Sequence, residues 1–234
     1  MNVIGFLIIA GLALKTVLAQ ESRNTSKLER FVYDRCRIYS TQASAYDDVK
    51  THYGQFSDYL SYTASLLPKG KEQFCNDEKP TLIGMMRQLA KDMQPCFPKD
   101  EKYLPKFMYE SFTSFMIFVC KEKNMENFFS SQGRDCRTAL KSQQAGHEVG
   151  NCFRKLFARF SDVVKKDDLC MDLKFTKTCF SEALAKNCPD FAGYQSLNSK
   201  FFKAIREPCD SAVPVGAGSV ILMIIAFIST KTFS

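Results

Sequence analysis

The chain has 234 residues, 45% of them apolar, with 32 Lys and Arg against 25 Asp and Glu for a net charge of +7, and it contains 10 Cys, 21 Phe and no Trp. So mild an excess of base excludes a polybasic nucleic-acid arm or a disordered polyelectrolyte, while the apolar fraction suffices for a core. Acidic residues run only from Glu21 to Asp210; beyond them the charged side chains are Lys15 and Lys231 alone, so the middle carries 30 bases against 25 acids.

Residues 1–19 hold an apolar run from Val3 to Leu14 and end on Val17 and Ala19, the small-residue pattern that a signal peptidase reads. They are expected to be a signal peptide cleaved before Gln20. The run is short for a signal anchor, and Lys15 interrupts its exit.

Helical periodicity then dominates. Ser26-Lys27-Leu28-Glu29 has the form of a capping box, with Leu28, Phe31, Val32, Arg35 and Tyr39 following at helical spacing. Val49, Tyr53, Phe56, Leu60 and Ala64 continue it until Leu67-Pro68-Lys69-Gly70. Pro80 suits the first turn of a helix carrying Leu82, Ile83, Met86 and Leu89, which Pro95 and Pro98 end. Leu104, Phe107, Met108, Phe112, Phe115, Met116 and Val119 form a stripe too apolar for a surface helix, predicting a central buried one. Asn127-Phe128-Phe129 and Gly133 mark a turn-rich connection. Segments Cys136 to Leu140, Val149 to Phe160, Leu169 to Ala185 and Tyr194 to Ile205 follow, with breaks expected at Gly146, Ser161 and Pro189. The expectation is an all-α, disulfide-rich single domain over residues 20–210, built from several short to medium helices.

All ten cysteines, Cys36, Cys75, Cys96, Cys120, Cys136, Cys152, Cys170, Cys179, Cys188 and Cys209, lie in the same window as the acids. An even set in an exported chain predicts a disulfide framework. No spacing is shorter than nine residues, so no local zinc chelate exists. Spacing cannot choose the pairs. It does exclude one class: Cys170, Cys179 and Cys188 stand nine residues apart, half a turn out of phase, and cannot pair within one straight helix.

Residues 211–234 contain no acid and carry a strongly apolar stretch from Val220 to Ile228. Asp210-Ser211-Ala212 offers small residues for lipid (GPI) attachment, with Val213 to Ser219 as spacer and the apolar run as the removed tail. A transmembrane helix and an apolar piece of the folded domain are the other readings. Asn24-Thr25-Ser26 is an N-glycosylation acceptor.

From Cys75 to Cys209 the chain resembles the insect 27 kDa haemolymph glycoproteins. The residues that carry this are Met93-Gln94-Pro95-Cys96, Phe115-Met116-Ile117-Phe118-Val119-Cys120, Asn127 through Cys136, Cys152, Leu169-Cys170, Cys179, Cys188, and Ile205-Arg206-Glu207-Pro208-Cys209. The resemblance implies a secreted, largely helical, disulfide-bonded glycoprotein whose family has no established molecular activity. The apolar tail and the position of Asn24 outside the matching region depart from a freely circulating protein of that type.

His52 and His147 are the only histidines, and neither belongs to a catalytic or zinc motif. Nothing in the sequence calls for a cofactor or metal, and no enzymatic activity is expected. Phe107, Met108, Phe112, Phe115 and Met116 could line a pocket for a lipophilic ligand or simply form core. Lys165-Lys166 and the Lys200 to Arg206 stretch could touch anionic glycans or headgroups, or be solvated helix faces. The reading is an extracellular, non-enzymatic interaction protein, secreted or tethered outside the plasma membrane, that binds a protein or glycan partner. The alternative is a carrier of a lipid or hormone.

Overall fold

The first helix, α1 (Ser22–Tyr39), turns Phe31, Val32 and Cys36 inward. The computed structural model describes residues 22–66, 70–121, 124, 131–140, 142–158, 163–188 and 192–210. Because α1 begins at Ser22, Ser26 lies inside the helix and is not its cap, contrary to the capping-box expectation. Residues 1–19, expected as a signal peptide, Asn127 to Phe129, expected as part of a turn-rich connection, Ser161, Pro189 and residues 211–234 lie outside the described residues.

Helix α2 (Ala45–Leu66) buries Ala45, Val49, Phe56, Leu60 and Thr63, a stripe at helical spacing, and opens with Asp47 and Asp48 in its first turn, where the helix dipole favours acid. Helix α3 runs as Lys71–Gln73, a π-helical segment Phe74–Glu78, and Lys79–Met93. As expected, Pro80 falls in the first turn of the α-helical run Lys79–Met93, which follows directly on the π segment. The proline ring lacks an N–H and would clash with the carbonyl four residues back, and the wider turn before it, closed by the Lys79 N–H to the Phe74 carbonyl, accommodates it. A 3₁₀ turn, Gln94–Cys96, follows, and Phe97 is extended (φ −110°, ψ 138°) ahead of Pro98, so the helix ends where the prolines predicted.

Helix α4 (Tyr103–Cys120) is the expected central helix, with Leu104, Phe107, Met108, Phe112, Phe115, Met116, Phe118 and Val119 all buried. It packs on α3 and on the last two helices, Ala192–Ile205 and Glu207–Asp210. The second half comprises α5 (Ser131–Ala139), α6 (Gln143–Ala158), α7 (Lys166–Asn187), α8 (Ala192–Ile205) and the single turn α9 (Glu207–Asp210). Gly133, expected in the turn-rich connection, and Gly146, expected as a break, are buried within α5 and α6. Helix α5 ends at Ala139 and α6 begins at Gln143 instead; the Ser142 hydroxyl accepts the Ala145 N–H and its carbonyl accepts the Gly146 N–H. Among the described residues there is no strand, and the fold is an all-α, disulfide-rich one.

The bridges are Cys36–Cys96, Cys75–Cys120, Cys136–Cys188, Cys152–Cys179 and Cys170–Cys209. All four cysteines up to Cys120 pair among themselves, and so do the six from Cys136. The three cysteines at nine-residue intervals along α7 reach three different elements: Cys170 joins α9, Cys179 joins α6, and Cys188, just past the helix end, joins α5. Half-turn offsets oblige neighbouring members of the series to look outward in opposite directions.

No disulfide crosses between the halves, so packing and hydrogen bonds hold them together. Phe115 and Phe118 of α4 meet Phe201 of α8 edge-on at 5.8 and 6.1 Å, and Phe201 and Phe180 both touch Phe202. Phe202, like Phe56, Phe74, Phe97 and Phe112, is almost wholly buried. Each such ring contributes about 1.5–3 kcal/mol through burial. One contiguous hydrophobic cluster runs through both halves.

Candidate binding surface at the α1–α2 turn

The Cys36–Cys96 bridge draws the end of α1 onto the end of α3, and the connection from Ser40 to Ser44 folds over the junction. Ser40 tightens this turn: its hydroxyl accepts the Gln42 N–H and donates to the Gln42 carbonyl. Two open clefts flank the turn and share Gln42.

The larger, about 690 Å³, lies between the start of α2 (Ala45, Asp48), the end of α3 (Lys91, Asp92, Pro95) and Lys102. Its charges balance, two acids against two lysines. At its edge His52 Nδ1 sits 2.6 Å from Asp92 Oδ2, and Gln88 donates to Asp92 Oδ1 at 2.9 Å. The second cleft, about 320 Å³, is lined by Tyr33, Arg37, Ser40, Gln42 and Tyr46 above Cys36. Tyr33 and Tyr46 meet at 84° with ring centroids 5.0 Å apart, and the Arg37 guanidinium and Lys50 ammonium approach their respective rings at 6.0 Å. The Tyr46 hydroxyl donates to Glu29, and partial burial together with that carboxylate pushes its pKa up to about 12. Tyr33, Ile38 and Tyr39 remain 43–58% exposed around it. The surface thus presents aromatic faces beside one guanidinium and several neutral donors and acceptors.

Beneath Lys102 the neighbouring Glu101 carboxylate is fully buried. It accepts the Arg35 Nε and Nη2 hydrogens at 2.7 and 3.0 Å and the Val164 N–H at 2.9 Å, while the Tyr103 hydroxyl donates to the Val164 carbonyl. The bond from Glu101 raises the Arg35 pKa, so the guanidinium stays charged. Burial, then the Glu101 charge, holds the Tyr103 phenol far above its usual range. This network ties α1 to the turn before α4 and to the approach of the second half of the chain.

The residues singled out in the sequence go elsewhere. Phe107, Met108, Phe112, Phe115 and Met116 belong to the hydrophobic cluster, Phe112 meeting Phe56 edge-on at 5.3 Å, and none of them lines either cleft. His52 and His147 sit on α2 and α6 and are not brought together; the His147 ring lies 3.3 Å from the Asn151 amide. All ten cysteines are bridged. Among the described residues no three His, Cys, Asp or Glu side chains gather as a metal site. Asn24 lies on α1, and Asp210 is exposed at the end of α9. Ser211 lies outside the described residues. Lys165 and the Lys200 and Lys203 side chains are exposed, as solvated helix faces would be. Sequence reasoning missed Tyr33, Arg37, Gln42 and Tyr46, although a polar Ser40-Thr41-Gln42 turn between tyrosines was available as a signal.

No family model, no curated protein and no solved structure matches the chain. Fold and bridges define its class: a disulfide-stapled all-α domain of the kind that matures in an oxidising, extracellular-type environment. Among the described residues no helix is long and apolar enough to cross a membrane.

Proposed function

We propose that the protein is an exported interaction module of the haemolymph-glycoprotein type, secreted or tethered to the outer face of the plasma membrane, that binds a protein or glycan through the α1–α2 surface and performs no catalysis. The observation that carries this reading is the second cleft: exposed Tyr33, with Tyr46, Arg37 and Gln42, presents the residue types that dominate interface energetics and sugar stacking, on a turn held by a disulfide. The large apolar side chains of α4 are spent on packing, which favours surface recognition over carriage of a lipophilic molecule. The tail's small-residue site and apolar run support tethering, and the signal-like residues 1–19 support export.

Glycan and extracellular-protein arrays probed with the purified chain are the direct test. A hit weakened tenfold or more by Tyr33→Ala or Arg37→Ala, about 1.4 kcal/mol, supports the reading. A reproducibly retained lipid in native mass spectrometry, with array binding indifferent to both substitutions, sinks it. Release of the protein from intact cells by a phosphatidylinositol-specific phospholipase tests the tether separately.

A further inference from the structure

We propose that the outward face of α7 around Met171 and Phe175 rests on a lipid bilayer surface when the chain is held by its C-terminal tail, an inference that rests on the tethering read above. Met171 is 62% exposed and Phe175 42% exposed on a helix that buries Leu169, Leu173 and Phe180 on its other side. Standing four residues apart, they share one face, with the exposed Lys174 beside them.

The Cys170–Cys209 bridge decides where this face lies relative to the tail. The two Cα atoms are 5.7 Å apart, Met171 follows one cysteine and Asp210 follows the other. At 3.8 Å per Cα step, Met171 and Asp210 are within about 13 Å. Asp210 is the last described residue, and beyond it lie the 24 acid-free residues with their apolar stretch. A tether leaving at Asp210 therefore brings this face near the membrane that holds it.

Once there, the thioether and phenyl tips can enter the headgroup boundary and the Lys174 ammonium can reach lipid phosphate. Exposed Asp167 and Asp210 offset the lysine charge, so contact is apolar in origin and needs no anionic lipid. A zwitterionic bilayer is the appropriate probe.

The chain has no tryptophan, so Met171→Trp and Phe175→Trp each install a single fluorescent reporter in the full-length protein. Tyr62→Trp, at a 61% exposed position on α2, is the control. Each is purified from membranes in detergent and returned to phosphatidylcholine vesicles with brominated acyl chains. The expected result is a blue shift and loss of most of the emission for Met171→Trp and Phe175→Trp, with Tyr62→Trp unquenched. Protein that floats with the vesicles while both α7 reporters stay bright, or while all three are quenched alike, overturns the inference and leaves the tether standing. Protein that fails to float overturns the tether and the inference with it.

Discussion

Glu101 and Arg35 form a two-pronged ion pair inside the protein: the carboxylate has no exposed surface and accepts both guanidinium bonds, at 2.7 and 3.0 Å, while also receiving the Val164 N–H. Sixty-six residues separate the partners along the chain. The pair joins α1 to the turn before α4 and, through Val164, to the approach of α7. Removing one member of such a pair leaves an uncompensated buried charge. Glu101→Gln is expected to cost about 3–5 kcal/mol in denaturant unfolding. By contrast, Asp34→Asn in the exposed Arg30–Asp34 pair is expected to cost at most about 0.5 kcal/mol. Similar small effects from both substitutions would mean that Glu101 is solvated.

The bridges fall into two sets, and that has a covalent consequence. A site-specific protease sequence placed between Cys120 and Ser131 should, after cleavage, yield two fragments that separate on a denaturing gel without reductant. Persistence of a single band would show a bridge between the halves. Peptide mapping should recover Cys170, Cys179 and Cys188 on three different partners.

Gly54 and Gly84 lie inside α2 and α3, and a Cβ added at either meets nothing within 4 Å. Alanine restricts the unfolded chain and favours the helix, so Gly54→Ala and Gly84→Ala should each stabilise by about 1 kcal/mol, raising Tm by about 2–4 °C in a domain of this size. A fall in Tm for either would reveal a close neighbour at that position.

Four phenols have raised pKa values. Burial raises Tyr53 and Tyr103 well above 10, burial with the Glu29 bond raises Tyr46 to about 12, and the hydrogen bond to Glu78 raises Tyr59. The folded state thus prefers the neutral phenol. This contribution is complete below the unfolded pKa of about 10 and is lost as pH rises through the folded values. Unfolding free energy should therefore decline above about pH 10. Tyrosinate absorbance should show the buried Tyr53 and Tyr103 ionising only with unfolding. Reversible titration of all nine at one pKa would contradict the burial.

Much of the fold was legible in the sequence because helical burial is a local, periodic demand. The α2 stripe from Val49 to Leu60 and the α4 stripe from Leu104 to Val119 fall where the 3.6-residue period puts them. The failures have local causes of their own. The helical run that Pro80 opens is joined to Lys71–Gln73 by a π segment that no propensity scale contains. Gly133 and Gly146 stay helical because tertiary contacts outweigh a cost of about 1 kcal/mol per glycine. The candidate surface was almost illegible, because Tyr33 and Tyr46 stand on different helices and only the turn between them makes them neighbours.

By itself the sequence determined the class: ten cysteines and an acid-bearing window between two acid-free ends, a helical period throughout, and no catalytic or metal motif. The half-turn phase of Cys170, Cys179 and Cys188 likewise ruled out pairing within their own helix. Only the tertiary structure decided which partners they took, because a disulfide needs Cα atoms within about 4–7 Å, a proximity created by helix packing and absent from spacing. The same holds for the Tyr33–Tyr46 cleft, the Glu101 network and the nearness of Met171 to the point where the tail departs. Each joins residues whose chemistry is local to residues whose neighbours are not.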